Sequence, residues 1–469
     1  MTQPRALLAT AVTAFAAGFG ALAMLQHRAF ETGRFDVGNL TQAVWSTAAG
    51  DFLDVTDLAG RQIPRLGAHF DPIVAAFVPL WWAWPDPEVL LLAQAVAVGL
   101  GAVPLFRLAR RHLGSHAALG LALAYLLYPA TQWLVLDDFH PVALATPLLL
   151  AAWDFLDAGQ LAAFALAAGA ACLTKEHIGF VVAAMGLWYA VARGRRRAGL
   201  MIAVGGATVA AVALLVVVPH FAPGSGSPFG GRYEAVGGSP GGIARTATTD
   251  PGTVVREATE GRDGRYVLDL LLPLAGLPLL APLAALVAVP ELAANLVSGT
   301  TTQTSIHFHY TAATIPALLA ATVFATARLR HRRWGGAIPR FLVALGLVSG
   351  VVYGPNPLWS SVPFGEDLAA RDHVVNAHDA AAQRALRLIP AGAPVSATNT
   401  LGAHLSERRR VFSFPVVREA RWLVVDTTRL SYLDRAVGGE QAGRALARLR
   451  ARGKWRVVYA EDGVLVLRR

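Results

Sequence analysis

Asp36 lies between Phe35 and Val37 within residues 33–45, GRFDVGNLTQAVW, just beyond an apolar segment. A carboxylate in such a place can take a proton from a hydroxyl nucleophile. It can equally cap the amphipathic helix that follows, on which Leu40, Val44 and Thr47 share one side. Four further polar clusters carry groups of similar use: His69 with Asp71, Asp138 with His140, Lys175-Glu176-His177, and His307 with His309. Ionised groups at membrane depth cost roughly 2.5–3.5 kcal/mol each on insertion scales, so they persist where they pair, line a wet cavity or lie in the interface. Lys175 is the sharpest case, because only it and Lys454 are lysines among 41 basic residues. Positive charge belongs on the inner side of a membrane. A lysine on the outer side beside Glu176 is therefore half of an ion pair or a point charge for a phosphate. His307 and His309 project to opposite faces of a strand, or about 200° apart on a helix, and make a poor metal pair. Asp36, Asp138, His140 and Glu176 together offer mostly oxygen ligands, which suit Mg²⁺ or Mn²⁺.

The elements that must position these groups are membrane helices. Hydrophobic residues make up 54% of the 469 and charged residues 15%, with mean hydropathy +0.46, against roughly 25% charged in a soluble protein of this size. The composition is that of a polytopic α-helical membrane protein. Its net charge of +10 lies largely in short arginine runs between apolar segments, where it reports orientation and not a nucleic-acid partner. The one cysteine, Cys172, lies in an apolar run, so no disulfide framework exists.

Residues 7–25 read as the first spanning helix, N-terminus inside, in preference to a cleaved signal peptide despite the Ala21-Leu22-Ala23 site. Residues 26–86 stay outside as a first loop. Within it, 72–84, with Trp81, Trp82 and Trp84, suits an interfacial helix. Spans are then expected at 88–108, 117–136, 142–156, 161–173, 178–192 and 200–219, followed by a Gly/Ser/Pro-rich outer loop over 220–265 that reads as mobile. The proline-punctuated stretch 267–297 is expected to turn near 276–282 and cross twice, because the arginine run after the next helix, 311–327, must lie inside. A last span at 341–353 gives eleven, several near the lower limit of the roughly 20 residues a crossing needs. The expected transmembrane domain covers 1–360. From about Asp367 the composition becomes that of a soluble α/β domain, 367–469, with strands near 394–398, 411–414 and 422–426. A hairpin at Glu461-Asp-Gly463 and helices at 377–388 and 441–452 complete it. It contains no Gly-rich phosphate loop.

FDVGN at 35–39, AHFDP at 68–72, DDFHP at 137–141, TKEHIG at 174–179 and SIHFHY at 305–310 resemble, in that order, the motifs of the DUF2079 family of predicted bacterial and archaeal membrane proteins. VSATNTLGAHLSERRRVFSFP, 395–415, is similar too. That family is grouped with the GT-C glycosyltransferases, multi-helix enzymes that take sugars from polyprenyl-phosphate carriers. The resemblance implies a GT-C-like bundle in the cell membrane with Asp36 as the essential acid of the first outer loop and Asp138 and Glu176 as companion carboxylates. It implies substrate contacts from His69, His140, Lys175, His177, His307, His309 and Tyr310. The family pattern has an acid where this chain has His177, which weakens a metal role there. The implied partners are the bilayer, a polyprenyl-phosphate sugar donor and an acceptor glycan, lipid or protein. The alternatives are a transporter or flippase, which would place ionisable groups mid-helix, and a non-catalytic scaffold presenting the outer domain.

Overall fold

The computed structural model describes residues 3–222, 224, 230–259, 263–355, 373–436 and 442–469. Among the described residues, four helices are long and apolar enough to cross a membrane: Gln3–Arg28, Glu88–Leu113, Arg196–Phe221 and Gly335–Val352. A fifth forms if Ser115–Leu127 and Pro129–Leu136, bent by 46°, count as one span. The bend has a local cause, since Pro129 lacks an N–H and forces Tyr128 to an extended ψ of 121°. Others expected as spans, among them Leu161–Cys172, Ile178–Ala192 and Thr314–Leu329, are shorter apolar helices. The expected eleven crossings are thus not met by helix length alone. Glu88–Leu113 outruns its expected end by five residues and stops at Gly114, whose φ of 82° only glycine adopts without cost. In the proline-punctuated stretch, Asp263–Leu271 leads to a reversal at Ala275 and Gly276, both left-handed, and Val289–Leu296 closes the return.

The first loop holds more structure than its sequence suggested. A π-turn at Arg34–Gly38 leads directly into the helix Asn39–Ala48. Strands β1 (Asp54–Thr56) and β2 (Gln62–Pro64) then pair antiparallel, and Pro72–Ala83 follows as the short apolar helix. Leu40 and Val44 of the amphipathic face are fully buried. The loop 220–265, expected to be mobile, contains helices Pro240–Thr249 and Pro251–Glu257 in its described part. Each begins with a side-chain cap followed by proline, Ser239-Pro240 and Asp250-Pro251, a start signal present in the sequence.

The C-terminal part carries a small sheet with helices, and its anticipated start near Asp367 lies outside the described residues. Strands β3 (Val395–Ala397), β4 (Val411–Ser413), β5 (Trp422–Asp426), β6 (Arg456–Glu461) and β7 (Val464–Arg468) form one sheet in the order β4-β3-β5-β7-β6. β3 runs parallel to β4 and β5, and β7 runs antiparallel to β5 and β6. Asp462 and Gly463 both take positive φ, as a two-residue hairpin turn demands. The sheet domain is not separate from the bundle. Arg34 Nε donates to Ser413 Oγ at 2.7 Å, Gln42 Nε2 donates to the Arg408 carbonyl at 2.9 Å, and Ala403 shares a core with Val37 and Leu40.

Candidate functional site

Asp36 is carried by the π-turn, in which Gly38 N–H reaches back to the Gly33 carbonyl at 3.1 Å. Wide turns of this kind recur at functional sites because they swing one side chain out of helical register. The turn needs both glycines. A Cβ at Gly33 would stand 2.8 Å from Asn399 Nδ2, and one at Gly38 would stand 2.7 Å from Ser406 Oγ and 3.0 Å from the Ala403 backbone. The helix Asn399–Ala403 of the sheet domain therefore clamps the turn, and Phe35 N–H donates to Asn399 Oδ1 at 3.3 Å. The Asp36 side chain, 35% exposed, lines a cavity beside Phe35.

It faces the DDFHP loop. His140 Nδ1 donates to the Asp137 carbonyl at 2.6 Å, which leaves Nε2 3.4 Å from Asp36 Oδ1. The His309 ring stacks on His140 with centroids 3.6 Å apart, and its Nδ1 meets Asp137 Oδ2 at 2.9 Å. Burial works against charge on His140, but Asp137 and Asp36 outweigh it and raise its pKa. Burial, together with the charged His140, pushes His309 well below the ordinary histidine value. Within the stacked pair, charge is therefore favoured on the ring that faces Asp36 and disfavoured on the other. Asp137 is pushed up to about 6 by burial, against the pull of His140.

Asp138 turns the other way. Its φ of 51° directs the carboxylate to Gly33 N–H at 3.0 Å, while Gln94 from Glu88–Leu100 holds the loop through the Asp138 carbonyl (2.6 Å) and His140 N–H (2.9 Å). Burial, with Asp36 nearby, raises the Asp138 pKa well above its ordinary value, and an amide there keeps an oxygen to accept from Gly33 N–H. We expect Asp138→Asn to keep activity within a few-fold. Asp138→Ala, which strands a buried N–H, should cost about 1–3 kcal/mol of stability. Thermal unfolding and turnover of both variants check this, and an inactive but stable Asp138→Asn would contradict it.

The third side comes from TKEH and AHFD. Glu176 accepts from Phe70 N–H at 3.0 Å and meets His69 Nδ1 at 3.1 Å. Burial disfavours its charge, yet His69, Lys175 and His177 hold the carboxyl well below the ordinary range. His177 points to Glu291, 2.6 Å away in Val289–Leu296. Asp71 is taken by Arg65 at 2.8 Å, and Arg65 also reaches Asn39. Lys175 Nζ lies 5.8 Å from the centre of the Tyr310 ring and, among the described residues, forms no ion pair with a carboxylate. Of the two roles its sequence allowed, an ion pair with Glu176 is not the one adopted. Burial lowers its pKa, partly offset by Glu176 and Glu291.

These side chains surround a cavity of about 530 Å³ lined by Asp36, His69, His140, Lys175, His309 and Tyr310, with Arg232 adding positive charge and Arg61 and Arg65 paired with Asp57 and Asp71 of the same lining. Arg232 arrives from the loop after Phe221 and donates to the Tyr310 hydroxyl at 3.2 Å.

The sequence profile of predicted membrane proteins designated DUF2079 fits residues 26–466. The chain belongs to the DUF2079 family. Among curated proteins none matches this sequence. Solved structures do share its fold. ArnT from Cupriavidus metallidurans bound to undecaprenyl phosphate superposes with a TM-score of 0.56 at 15% identity, covering 97% of each chain. The apo state of the same protein gives 0.52 at 15% identity, covering 97% of this chain and 98% of that one.

In this DUF2079 chain, six of the ten expected site residues line one cavity. Asp138, Glu176, His177 and His307 stand behind it, the last edge-on to Trp133 with ring centroids 4.7 Å apart. Asp137, Gln94, Arg65 and Arg232 were not expected. Gln94 carried a signal, being a lone amide in an apolar helix that must find partners. Of the expected metal candidates Asp36, Asp138, His140 and Glu176, His140 belongs to the group that the described residues place at ligand spacing. Donor atoms of Asp137, His140 and His309 lie within 4.8 Å of one another, and two imidazoles with one carboxylate suit Zn²⁺ or Mn²⁺ better than Mg²⁺.

The raised pKa of His140 has a sign that can be tested. Its charged form stabilises the folded DUF2079 chain fully below the unfolded value of about 6.5, and that contribution fades as pH rises through the higher folded value. The thermal stability gap between wild type and His140→Gln should narrow as pH rises from about 6 to 8. A gap independent of pH would contradict the assignment.

Proposed function

We propose that this protein is a membrane glycosyltransferase that moves a sugar from a polyprenyl-phosphate donor to an acceptor hydroxyl at the outer membrane face. One observation carries the reading: Asp36 and Lys175 line the same cavity, Asp36 meeting His140 and, among the described residues, Lys175 forming no ion pair with a carboxylate. The acceptor oxygen attacks the anomeric carbon, Asp36 takes the acceptor proton, and the bond between that carbon and the carrier phosphate oxygen breaks. Lys175 and Arg232 stabilise the negative charge that gathers on the departing phosphate. His140, 3.4 Å away, aims the Asp36 carboxylate.

The ArnT fold supports this reading, since one ArnT structure holds undecaprenyl phosphate. The arginine-rich helix ends at 193–197 and 328–333 support an orientation with the N-terminus and those ends in the cytoplasm and eleven crossings in all. The sheet domain, clamped on the Asp36 turn, would present the acceptor. A transporter reading gains no support from the helix-borne acids, because Asp269 pairs with Arg265 and Glu291 with His177. The test is sugar release from synthetic polyprenyl-phosphate sugars by the purified protein in liposomes, with Asp36→Asn alongside. Transfer by wild type alone supports the proposal, and equal turnover by both removes Asp36 as the base.

A further inference from the structure

A second cavity, of about 440 Å³, opens at the opposite end of the same helices, lined by His112, Trp188, Arg193, Leu283, Phe324, Arg328 and Arg330 among others. Ile178–Ala192 and Thr314–Leu329 begin near Lys175 and His309 and end here, so the two cavities are separated by the length of the bundle. The floor is aromatic. Trp188 and Phe324 stack with centroids 5.5 Å apart, and the Arg193 guanidinium sits 5.4 Å from one ring and 5.8 Å from the other.

The charge at this cavity is strongly one-sided. Asp157 is shared by Arg111, His112 and Arg193. Arg328 and Arg330 are exposed and have no carboxylate partner among the described residues. Backbone carbonyls aim them instead: Arg328 Nη1 donates to Leu280 O at 2.5 Å, and Arg330 Nη1 donates to His112 O at 3.0 Å. Carbonyls orient a guanidinium without cancelling its charge, which leaves two planar donors ready for a bidentate anion. The rim beside them is apolar. Leu283 lines the cavity at 42% exposure, and Leu279, Leu280 and Leu286 next to it are more than half exposed. In a membrane-spanning chain such leucines face acyl chains.

A basic mouth joined to a lipid-facing apolar wall matches one amphipathic ligand. We infer that this cavity binds the phosphodiester head of an anionic phospholipid, with Arg328 and Arg330 on the phosphate and the acyl chains along Leu279, Leu280 and Leu283. An orientation signal alone requires only charge, with no cavity, no aromatic floor and no carbonyl-aimed guanidinium. The inference does not depend on the glycosyl-transfer reading.

Native mass spectrometry of the full chain, released from vesicles of equal phosphatidylglycerol and phosphatidylcholine, tests it. Wild type should retain phosphatidylglycerol preferentially. Arg328→Ala with Arg330→Ala should lower that retention by about tenfold, a loss of about 1.4 kcal/mol. Arg196→Ala with Arg197→Ala, which removes equal charge from exposed positions outside the cavity, should leave it unchanged. Equal loss in both double variants, or equal retention of the two lipids by wild type, would overturn the inference. A second reading needs no variant: phosphatidylglycerol should raise the thermal stability of wild type, and an equal rise with inorganic phosphate would assign the cavity to a free anion instead.

Discussion

Asp36→Asn is expected to lower sugar transfer from a polyprenyl-phosphate donor by about 10²–10⁴-fold, the range a positioned general base contributes. The substitution keeps the shape of the side chain and removes only its ability to accept a proton. Little else should change. The clamp on the turn runs through Gly33, Phe35 and Gly38, not through the Asp36 carboxylate, whose one described partner is His140 at 3.4 Å. Thermal unfolding should therefore stay close to wild type, and donor binding should persist while turnover falls. A variant that loses stability and donor binding together would mean that Asp36 holds the loop and performs no chemistry.

The second large effect is expected at Lys175. Lys175→Met removes the ammonium and keeps the apolar stem against Tyr310. If the ammonium stabilises the departing phosphate, transfer should fall by about 10²–10³-fold, as it does when a preorganised oxyanion contact is deleted. Stability should move in the opposite direction. Burial depresses the lysine pKa, and among the described residues no carboxylate pairs with it, so holding this charge is a cost of the folded state. A more stable, inactive Lys175→Met distinguishes a functional lysine from a structural one. Lower stability with preserved transfer would contradict the role.

Much of this site was legible in the sequence, for a physical reason. In a chain that is otherwise apolar, ionisable groups at helix ends must be accounted for, and tracing the arginine runs put five such clusters on one side. The structure brings them around one cavity. The fold followed from the same signals: Ile178–Ala192 and β5 have the limits their sequences suggested. The choice between Asp137 and Asp138 was not legible, because it rests on one left-handed residue that sends the second carboxylate to Gly33. Arg232 was hidden in a Gly/Ser/Pro-rich stretch that read as featureless, although Ser239-Pro240 and Asp250-Pro251 marked helix starts nearby. Nothing local announced that the sheet domain clamps the Asp36 turn. Arg34 meets Ser413 across 379 positions of sequence, and no periodicity encodes such a contact.

One measurement reaches the central claim directly: the structure of this chain with undecaprenyl phosphate bound. The account predicts the phosphate within ion-pair distance of Lys175 Nζ and facing the Asp36 carboxylate across the cavity. A phosphate seated elsewhere on the bundle, with Lys175 still against Tyr310 and the Asp36 cavity empty, would contradict it.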